Sequence, residues 1–408
     1  GSKISSWCID FLSECSRGIQ TDLSAEKFPL TASISNFFSF TIPSALPLQF
    51  SAGGGIMALS QGKRREITMY SFRNDYSEGA HPKVLQALAD TNLRQTVGYG
   101  MDPCCQAAAD TIRRLCAAPD AAVHFLVGGT QVNLVTIDAF LQSYEAVVAA
   151  QTGHVSTHET GAIEATGHKV CTVESPDGKL TPALVESVLA GHNGTEHMVL
   201  PRMVYISDTT EIGTVYTRAE LAALRQCCDV HGLFLYLDGA RLGSALTSPD
   251  NDLTLPDLAA LTHAFTIGGT KNGALFGEAL VLTRPMPHFR WHMKQRGAVL
   301  AKGRLLGLQF QALLEDGLYF DLARRANELA FRLRDGVAAL GYPFPVASPS
   351  NQQFPVLPNE TVAKLQEMGY EFETDHPVDA NHTCIRLVTS WATPETAVED
   401  FLRDLAGC

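Results

Sequence analysis

A chain of 408 residues is longer than one hydrophobic core usually serves, so a large domain and a smaller one are expected. The composition, 45% hydrophobic and 18% charged, is ordinary for a globular protein and argues against a disordered chain. The net charge of −12 without a run of Lys or Arg argues against a nucleic-acid partner. No apolar run reaches the roughly 18 residues of a membrane span, and the 10 cysteines include no CxxC motif, which indicates reduced thiols in the cytoplasm.

Residues 1–66 precede the first regular patterns of the chain. Gly1-Ser2 resembles a cloning remnant, and the stretch to about Gln61 is rich in Ser, Phe and Gly without clear periodicity. Its acidic residues make it a poor transit peptide. We therefore predict a mobile amino-terminal extension.

From residue 67 onward, short β-branched or aromatic runs alternate with helical patterns, which is typical of βαβ units around a mainly parallel sheet. The predicted strands are 123–127, 169–173, 203–207, 233–238, 263–267 and 278–283. Their nearly continuous apolarity predicts a sheet buried on both faces. Thr181-Pro182 and a Thr217/Glu220 capping box predict two of the helix starts.

The pattern changes near residue 300. A long helical pattern at 312–341 precedes a short αβ set that includes a strand at 384–389. We predict a large domain at 67–299 and a small carboxy-terminal domain at 300–408.

Functional groups in an open parallel sheet gather beyond the carboxyl ends of its strands. Gly128, Gly129 and Thr130 follow the first predicted strand and precede a helical stretch. Bare backbone N–H groups at a helix amino terminus favour a phosphate group. A tight turn without a ligand is the alternative interpretation.

Asp238 ends the strand at 233–238 and is followed by Gly239. A carboxylate at this edge can hold the protonated ring nitrogen of pyridoxal phosphate, so that the ring accepts electrons released at a substrate α-carbon. An internal ion pair between Asp238 and Arg241 is the alternative.

Lys271 lies on a glycine-flanked turn after the next strand. Lysine forms the Schiff base with pyridoxal phosphate, and it needs a site that favours its neutral form. A single loop lysine is usually a solvated surface residue. Together with Asp238 and the predicted phosphate turn, however, Lys271 indicates a pyridoxal phosphate site.

Two further residues carry suitable chemistry. His154 follows another apolar run, 145–150, where an imidazole can stack on a cofactor ring, whereas for the neighbouring His158 we favour a structural or surface role. Arg386 is a charge within an apolar strand pattern, so it should meet either a substrate carboxylate or a structural salt-bridge partner.

Five segments together resemble the threonine aldolase and β-eliminating lyase family in order and spacing: YGMDP, GGTQVN, LYLDGARL, FTIGGTKNGALFGEAL and IRLVTSW. The resemblance runs from about Tyr70 to the end of the chain. It implies an α/β, aspartate-aminotransferase-like fold and pyridoxal 5′-phosphate as cofactor, with no metal ion. It also implies a homodimer or homotetramer with active sites shared between subunits.

The resemblance assigns the cofactor-binding residues. It makes Lys271 the Schiff-base lysine, Asp238 the partner of the ring nitrogen and His154 the residue stacked on the ring. Gly129 and Thr130 would hold the phosphate group.

The resemblance also assigns substrate contacts. Arg241, next to the cofactor, and Arg386 would bind the substrate α-carboxylate. Asn74 stands where many members have serine, and Tyr99 matches a tyrosine that the family often presents across the dimer interface.

One segment departs from the short bacterial threonine aldolases. They carry a second active-site histidine in a Thr-His-Asn-Gly segment, whereas the corresponding residues 208–214 here are DTTEIGT, similar to a subgroup often labelled low-specificity aldolase. The implied activity is cleavage of L-threonine, L-allo-threonine or a related β-hydroxy-α-amino acid to glycine and an aldehyde. The alternatives are β-elimination from an aromatic or sulfur amino acid, and a catalytically inactive pyridoxal phosphate-binding paralogue.

Overall fold

The computed structural model describes residues 70–408, so the predicted amino-terminal extension lies outside the described residues. A seven-stranded sheet with the order β1-β7-β6-β5-β4-β2-β3 dominates this part of the chain. Its strands are β1 (Ala122–Leu126), β2 (Glu145–Ala150), β3 (Lys169–Val173), β4 (Leu200–Ser207), β5 (Phe234–Asp238), β6 (Ala264–Gly268) and β7 (Glu278–Leu282).

Strand β7 is antiparallel to both β1 and β6, and the other neighbours are parallel. The predicted α/β class and mainly parallel sheet are therefore confirmed. This arrangement brings the carboxyl ends of β1, β4, β5 and β6 to one edge of the sheet, together with the amino end of β7.

Helices cover the sheet and connect its strands. In the described residues the α-helices are α1 (Pro82–Asp90), α2 (Pro103–Leu115), α3 (Gly129–Phe140), α4 (His154–Thr157), α5 (Pro182–Ala190), α6 (Arg218–His231), α7 (Leu242–Leu246), α8 (Leu255–Leu261), α9 (Phe289–Gln295), α10 (Arg304–Leu314), α11 (Leu318–Ala339), α12 (Asn359–Glu367) and α13 (Glu395–Ala406). Short 3-10 turns lie at Glu164–Thr166 and Glu315–Gly317.

Both faces of the large sheet are buried, as its apolar strands predict. Successive strand residues belong to opposite cores: Val148 packs on one face with Leu235 and Phe265, whereas Val147 packs on the other. Because side chains alternate across a strand, an apolar run without polar interruptions fits only a sheet covered on both sides.

The predicted helix starts are confirmed. Thr181 caps α5 by accepting a hydrogen bond from the Leu184 amide. The Thr217 amide donates to the Glu220 carboxylate at 2.8 Å, while the Glu220 amide donates to the Thr217 hydroxyl at 3.3 Å. These reciprocal bonds satisfy amide donors that the first turn of α6 leaves without helical partners.

A second, four-stranded sheet follows in the chain. It contains β8 (Gln352–Gln353), β9 (Val356–Pro358), β10 (Glu373–Pro377) and β11 (His382–Val388). Phe72 joins its hydrophobic core, and the Phe72 carbonyl accepts a hydrogen bond from Val388 at 2.8 Å. The segment that leads into α1 is thereby anchored beside β11.

Two features of the described residues concern the surroundings of the chain. Among residues 70–408 no helix has both the length and the apolar character needed to cross a membrane. The cysteines described there are all free thiols.

Candidate active site

A cavity of about 320 Å³ opens at the sheet edge where the carboxyl ends of β1, β4, β5 and β6 meet. Seven of the residues singled out in the sequence line it: Gly128, Gly129, Thr130, His154, Asp238, Arg241 and Lys271. They come from positions up to 143 residues apart in the chain, 128 to 271, and the parallel sheet brings them together.

The turn after β1 leaves space for a ligand. Gly128 is the N-cap of α3, and the helix runs for 12 residues from Gly129. A Cβ atom built on either glycine would meet nothing within 4 Å, so the backbone faces open space in the cavity wall. Free amide groups at the start of a helix of this length suit a phosphate group.

Asp238 is held by a buried hydrogen-bond network at the end of β5. Its Oδ2 accepts from the Tyr205 hydroxyl at 2.7 Å and from Asn133 Nδ2 at 2.8 Å, and its Oδ1 accepts from the Ala240 amide at 3.0 Å. The side chain of Asp238 is only 4% exposed. These donors stabilise a carboxylate, which is the form needed to hold a protonated ring nitrogen.

Two glycines allow the Asp238 and Lys271 loops to approach each other. The Gly239 amide donates to the Thr266 hydroxyl at 2.7 Å, and the Gly268 amide donates to the Gly239 carbonyl at 3.0 Å. A Cβ on Gly239 would collide with the Thr266 carbonyl, and one on Gly268 with the Ala240 carbonyl. Gly239, next to Asp238, and Gly268, three residues before Lys271, therefore serve close backbone packing.

Lys271 lies in the cavity wall, not on the solvated surface. Burial and the nearby Arg241 guanidinium lower the pKa of its ammonium group, while Asp75 and Asp238 oppose this effect. A lowered pKa increases the fraction of neutral amine, which is the nucleophilic form.

His154 begins α4 and is oriented by a buried carboxylate. Its Nδ1 lies 2.8 Å from Glu159 Oε1, and the same oxygen accepts from Asn133 Nδ2 at 2.7 Å. Because the carboxylate accepts, we assign the hydrogen to Nδ1, which leaves Nε2 with a lone pair. Asn133 thus connects the hydrogen bonds of His154 with those of Asp238.

The two predicted carboxylate-binding arginines have different surroundings. Arg241 does not pair with Asp238: its Nε and Nη2 donate to Asp75 at 2.8 and 3.1 Å. Burial disfavours the Asp75 anion, but Arg241 and Lys271 outweigh it and lower the pKa of Asp75. Asn351 also donates to Asp75, at 2.9 Å.

Arg386 retains hydrogen-bonding capacity. Its Nη2 donates to the Arg73 carbonyl at 3.4 Å, and its buried Nε has no partner among residues 70–408. A buried donor without a partner is costly, so this guanidinium is better suited than that of Arg241 to receive an added carboxylate.

Four of the singled-out residues do not line the cavity: Asn74, Tyr99, His158 and Arg386. The Asn74 side chain accepts from the Tyr76 amide and the Ser77 hydroxyl in a local turn, and Tyr76 lines the cavity instead. Tyr99 is 48% exposed at a distance from the cavity, so its predicted place across a subunit interface stays a prediction. His158 is exposed, with its ring 5.5 Å from that of His154.

Two carboxyl groups outside the predicted site residues, those of Glu211 and Glu278, also lie in the cavity wall. Glu211 Oε1 accepts from the His154 amide at 2.8 Å and from the Ser207 hydroxyl at 2.7 Å, and burial raises its pKa. Glu278 begins β7. A charge at the first position of an otherwise apolar strand was the available signal for Glu278.

The sequence model of the β-eliminating lyase family matches residues 72–359, which is more than half of the chain. This chain belongs to the β-eliminating lyase family. A low specificity L-threonine aldolase of Pseudomonas sp. (strain NCIMB 10558) is 33% identical over 344 residues, or 82% of this chain and 96% of the relative.

Solved structures agree with this membership. A Leishmania major threonine aldolase is 50% identical, with a TM-score of 0.80 over 82% of this chain and 98% of its own. A Thermus thermophilus aspartate aminotransferase mutant, 16% identical with a TM-score of 0.62 over 83% of this chain and 91% of its own, shows the fold alone. The predicted aspartate-aminotransferase-like fold and family resemblance are confirmed.

This chain is a lyase that depends on pyridoxal phosphate. The residues of the cavity fit this cofactor: open space faces the amides of Gly128 and Gly129, a hydrogen-bonded carboxylate stands at Asp238, and Lys271 has a lowered pKa. These groups suit the phosphate, the ring nitrogen and the aldehyde carbon respectively.

Proposed function

We propose that the chain cleaves L-threonine and L-allo-threonine, or related β-hydroxy-α-amino acids, to glycine and an aldehyde. The observation that carries this proposal is the convergence of Lys271, Asp238 and His154 on one cavity. Arg386, which lies near enough to Arg241 for the two charges to repel, has a buried Nε without a partner among residues 70–408. The low specificity L-threonine aldolase of Pseudomonas, 33% identical, supports the choice of substrate class.

The side chains divide the work of a retro-aldol cleavage. When bound, pyridoxal phosphate accepts the electron pair released as the Cα–Cβ bond breaks. Asp238 keeps a positive charge on the ring nitrogen, and Lys271 holds the cofactor. Arg386 binds the substrate carboxylate and so fixes the orientation of the amino acid.

His154 is the proposed base. Its Nδ1 is engaged by the buried Glu159, so Nε2 is the atom that accepts the β-hydroxyl proton, directly or through one water. As the proton leaves, the hydroxyl-bearing carbon becomes the carbonyl carbon of the aldehyde, and the α-carbon gains a proton to give glycine.

Product analysis tests this proposal. The purified holoenzyme is incubated with β-hydroxy amino acids and with β-substituted alanines, and glycine, aldehyde, pyruvate and ammonia are measured. We expect glycine and aldehyde in equal amounts from L-threonine. Pyruvate and ammonia from aromatic or sulfur amino acids, without glycine formation, would instead establish β-elimination, and no product with any substrate would indicate an inactive paralogue.

The stereochemistry at Cβ provides a further criterion. Residues 208–214 lack the second histidine that could hold the β-hydroxyl in one orientation, and Glu211 Oε1 in this segment already accepts hydrogen bonds from the His154 amide and the Ser207 hydroxyl. We expect specificity constants for L-threonine and L-allo-threonine within about a hundredfold, because a steric preference for a methyl position supplies roughly 1–3 kcal/mol. D-threonine should be inert. A preference of many thousandfold would show that a residue such as Glu211 does orient the hydroxyl.

A further inference from the structure

Glu278 lies between the two loops that the cofactor must bridge. In the sheet it pairs with Leu126, the last residue of β1, and with Gly268, the last residue of β6. The chain continues from Leu126 into the Gly128–Thr130 turn and from Gly268 into the Lys271 loop. Glu278 lines the same cavity and is only 4% exposed.

Its carboxyl group is not fully satisfied by the protein. Oε2 of Glu278 is buried and has no hydrogen-bond partner among residues 70–408. A buried polar group without a partner destabilises the folded protein by at least as much as the loss of one hydrogen bond. A buried, unpartnered polar atom in a cavity wall therefore points to a ligand group at that position.

The surroundings of Glu278 favour its protonated form. Burial raises its pKa to about 8, and the charge of Asp238 on β5 adds to this effect. Hydrogen bonds from the Thr270 side chain and the Gly269 backbone, together with the charge of Lys271, lower the pKa but do not outweigh burial. The other titratable groups that face it are Tyr236 on β5 and Tyr319 on α11, both with pKa values raised by burial and therefore neutral. A protonated carboxyl group is a hydrogen-bond donor, whereas a carboxylate only accepts.

We propose that Glu278, as a neutral carboxylic acid, donates a hydrogen bond to the phosphate group of pyridoxal phosphate. The amide groups that begin α3 supply the other donors, and Glu278 approaches from the adjacent strand. A carboxylate at this place would repel the phosphate dianion, so binding the phosphate requires the proton on Glu278. The inference rests on the cofactor and is independent of which amino acid is cleaved.

Proton linkage gives the proposal a measurable consequence. At alkaline pH the cofactor-free protein has lost the Glu278 proton and must regain it to bind the phosphate. The affinity for pyridoxal phosphate should therefore fall with rising pH more steeply than the affinity for pyridoxal, which lacks the phosphate group. For one proton, the affinity for pyridoxal phosphate relative to that for pyridoxal falls by at most about tenfold per pH unit.

Cofactor rebinding tests this consequence. The full-length holoenzyme is cleared of cofactor by dialysis against cysteine, and rebinding of pyridoxal phosphate and of pyridoxal is titrated by absorbance at several pH values. We expect Glu278→Gln, which is permanently neutral, to remove the extra pH slope for pyridoxal phosphate and to leave pyridoxal binding unchanged. Asp208→Asn is the matched control, because Asp208 is also buried with its pKa raised to about 8 but does not line the cavity.

Two outcomes overturn the proposal. If Glu278→Gln changes the pH dependence of the affinity equally for pyridoxal phosphate and for pyridoxal, Glu278 acts on Lys271 and not on the phosphate. If it changes neither, Glu278 has no part in cofactor binding.

A measurement on the unmodified chain covers the case in which the variant does not fold. Calorimetric titrations in buffers of different ionisation enthalpy give the number of protons taken up on binding. Above the pKa of Glu278, pyridoxal phosphate should take up about one proton more than pyridoxal. Equal proton uptake contradicts the proposal. Loss of threonine cleavage with this linkage intact would count against the proposed function alone.

Discussion

At the scale of single residues, the decisive feature is which charged groups are already paired within the protein. Arg241 is engaged by Asp75, whereas Arg386 has a buried Nε without a partner among residues 70–408. Similarly, Asp238 accepts three hydrogen bonds, while Glu278 keeps an unpartnered oxygen. We therefore expect Arg386 to meet the substrate and Glu278 to meet the cofactor.

The first prediction concerns Arg386. We expect Arg386→Ala to raise the amino acid concentration needed for a spectral change of the bound cofactor by roughly ten- to a hundredfold, since a charged hydrogen-bond pair is worth about 1.5–3 kcal/mol. Cofactor affinity should change little. Arg332→Ala is the control, because Arg332 pairs with Glu395 and Glu399 on the exposed surface. An unaltered titration with normal turnover would assign Arg386 to a structural role.

The second prediction concerns the lysine that holds the cofactor. Borohydride reduction of the yellow holoenzyme should fix the cofactor to Lys271, because burial and Arg241 lower its pKa. Peptide mapping by mass spectrometry identifies the modified residue, and Lys271→Ala should give no fixed adduct. Modification of another lysine in the unaltered chain would contradict the assignment.

The third prediction concerns stability against pH. Burial raises the pKa of Asp208 from 3.8 to about 8 in the folded protein. The folded state therefore binds more protons than the unfolded state between these values, and stability falls as pH rises through this window, by at most about 1.4 kcal/mol per pH unit. Asp208→Asn should make this fall shallower.

The free energy of unfolding of the holoenzyme is measured by urea unfolding at several pH values and a fixed protein concentration. His124 and His263 are partly buried, and desolvation lowers their pKa values to about 4, so they produce the opposite slope at lower pH. The comparison is therefore made between neutral pH and the pKa of Asp208. Identical slopes for both proteins would show that Asp208 is charged in the folded state.

At the scale of elements, glycines at strand ends serve two different purposes. Gly239 lets β5 and β6 approach at the cavity floor, where a side chain would collide with the Thr266 carbonyl. Gly129 starts α3 with open space before it. The first purpose is packing within the protein, and the second is access for a ligand.

The fourth prediction separates these purposes. Gly239→Ala should lower the free energy of unfolding by on the order of 1–3 kcal/mol, because the packed backbone must shift. Gly129→Ala should leave unfolding of the cofactor-free protein nearly unchanged but weaken pyridoxal phosphate binding, since its Cβ fills the phosphate space. Gly79→Ala, with nothing within 4 Å of its Cβ, is the control for both. Equal effects of the two main variants would refute the distinction.

At the scale of the whole molecule, one exposed segment is unusually apolar. Leu93, Val97, Tyr99 and Met101 are 93%, 65%, 48% and 63% exposed. Apolar surface of this kind is typical of protein interfaces. It supports the prediction that the chain is a homo-oligomer in which Tyr99 reaches a partner's active site. This stays a prediction.

The fifth prediction tests sharing of the active site by complementation. Lys271→Ala and Tyr99→Ala subunits should each be nearly inactive alone. In a mixed dimer, one site then combines the intact Lys271 of one subunit with the intact Tyr99 of the other. Random mixing should restore about a quarter of the wild-type activity, since half of the dimers are mixed and each has one intact site. No recovery in verified mixed dimers would place Tyr99 outside the partner's site.

The sequence by itself determined the local parts of this protein. Strand and helix positions, the Thr217 capping box and the segments around Asp238 and Lys271 were visible because neighbouring residues encode them. The apolar strands also implied a sheet buried on both faces. These predictions depend on periodicity and on short-range hydrogen bonds, which a linear sequence displays directly.

Only the tertiary structure decided which charges meet. Asp75 and Arg241 are 166 positions apart, and Asn133 and Asp238 are 105 apart, so neither pair has a signal in the local sequence. Glu278 became a candidate only when antiparallel pairing placed it between the ends of β1 and β6. Partner choice among distant polar groups depends on strand order and burial, and these are properties of the folded chain as a whole.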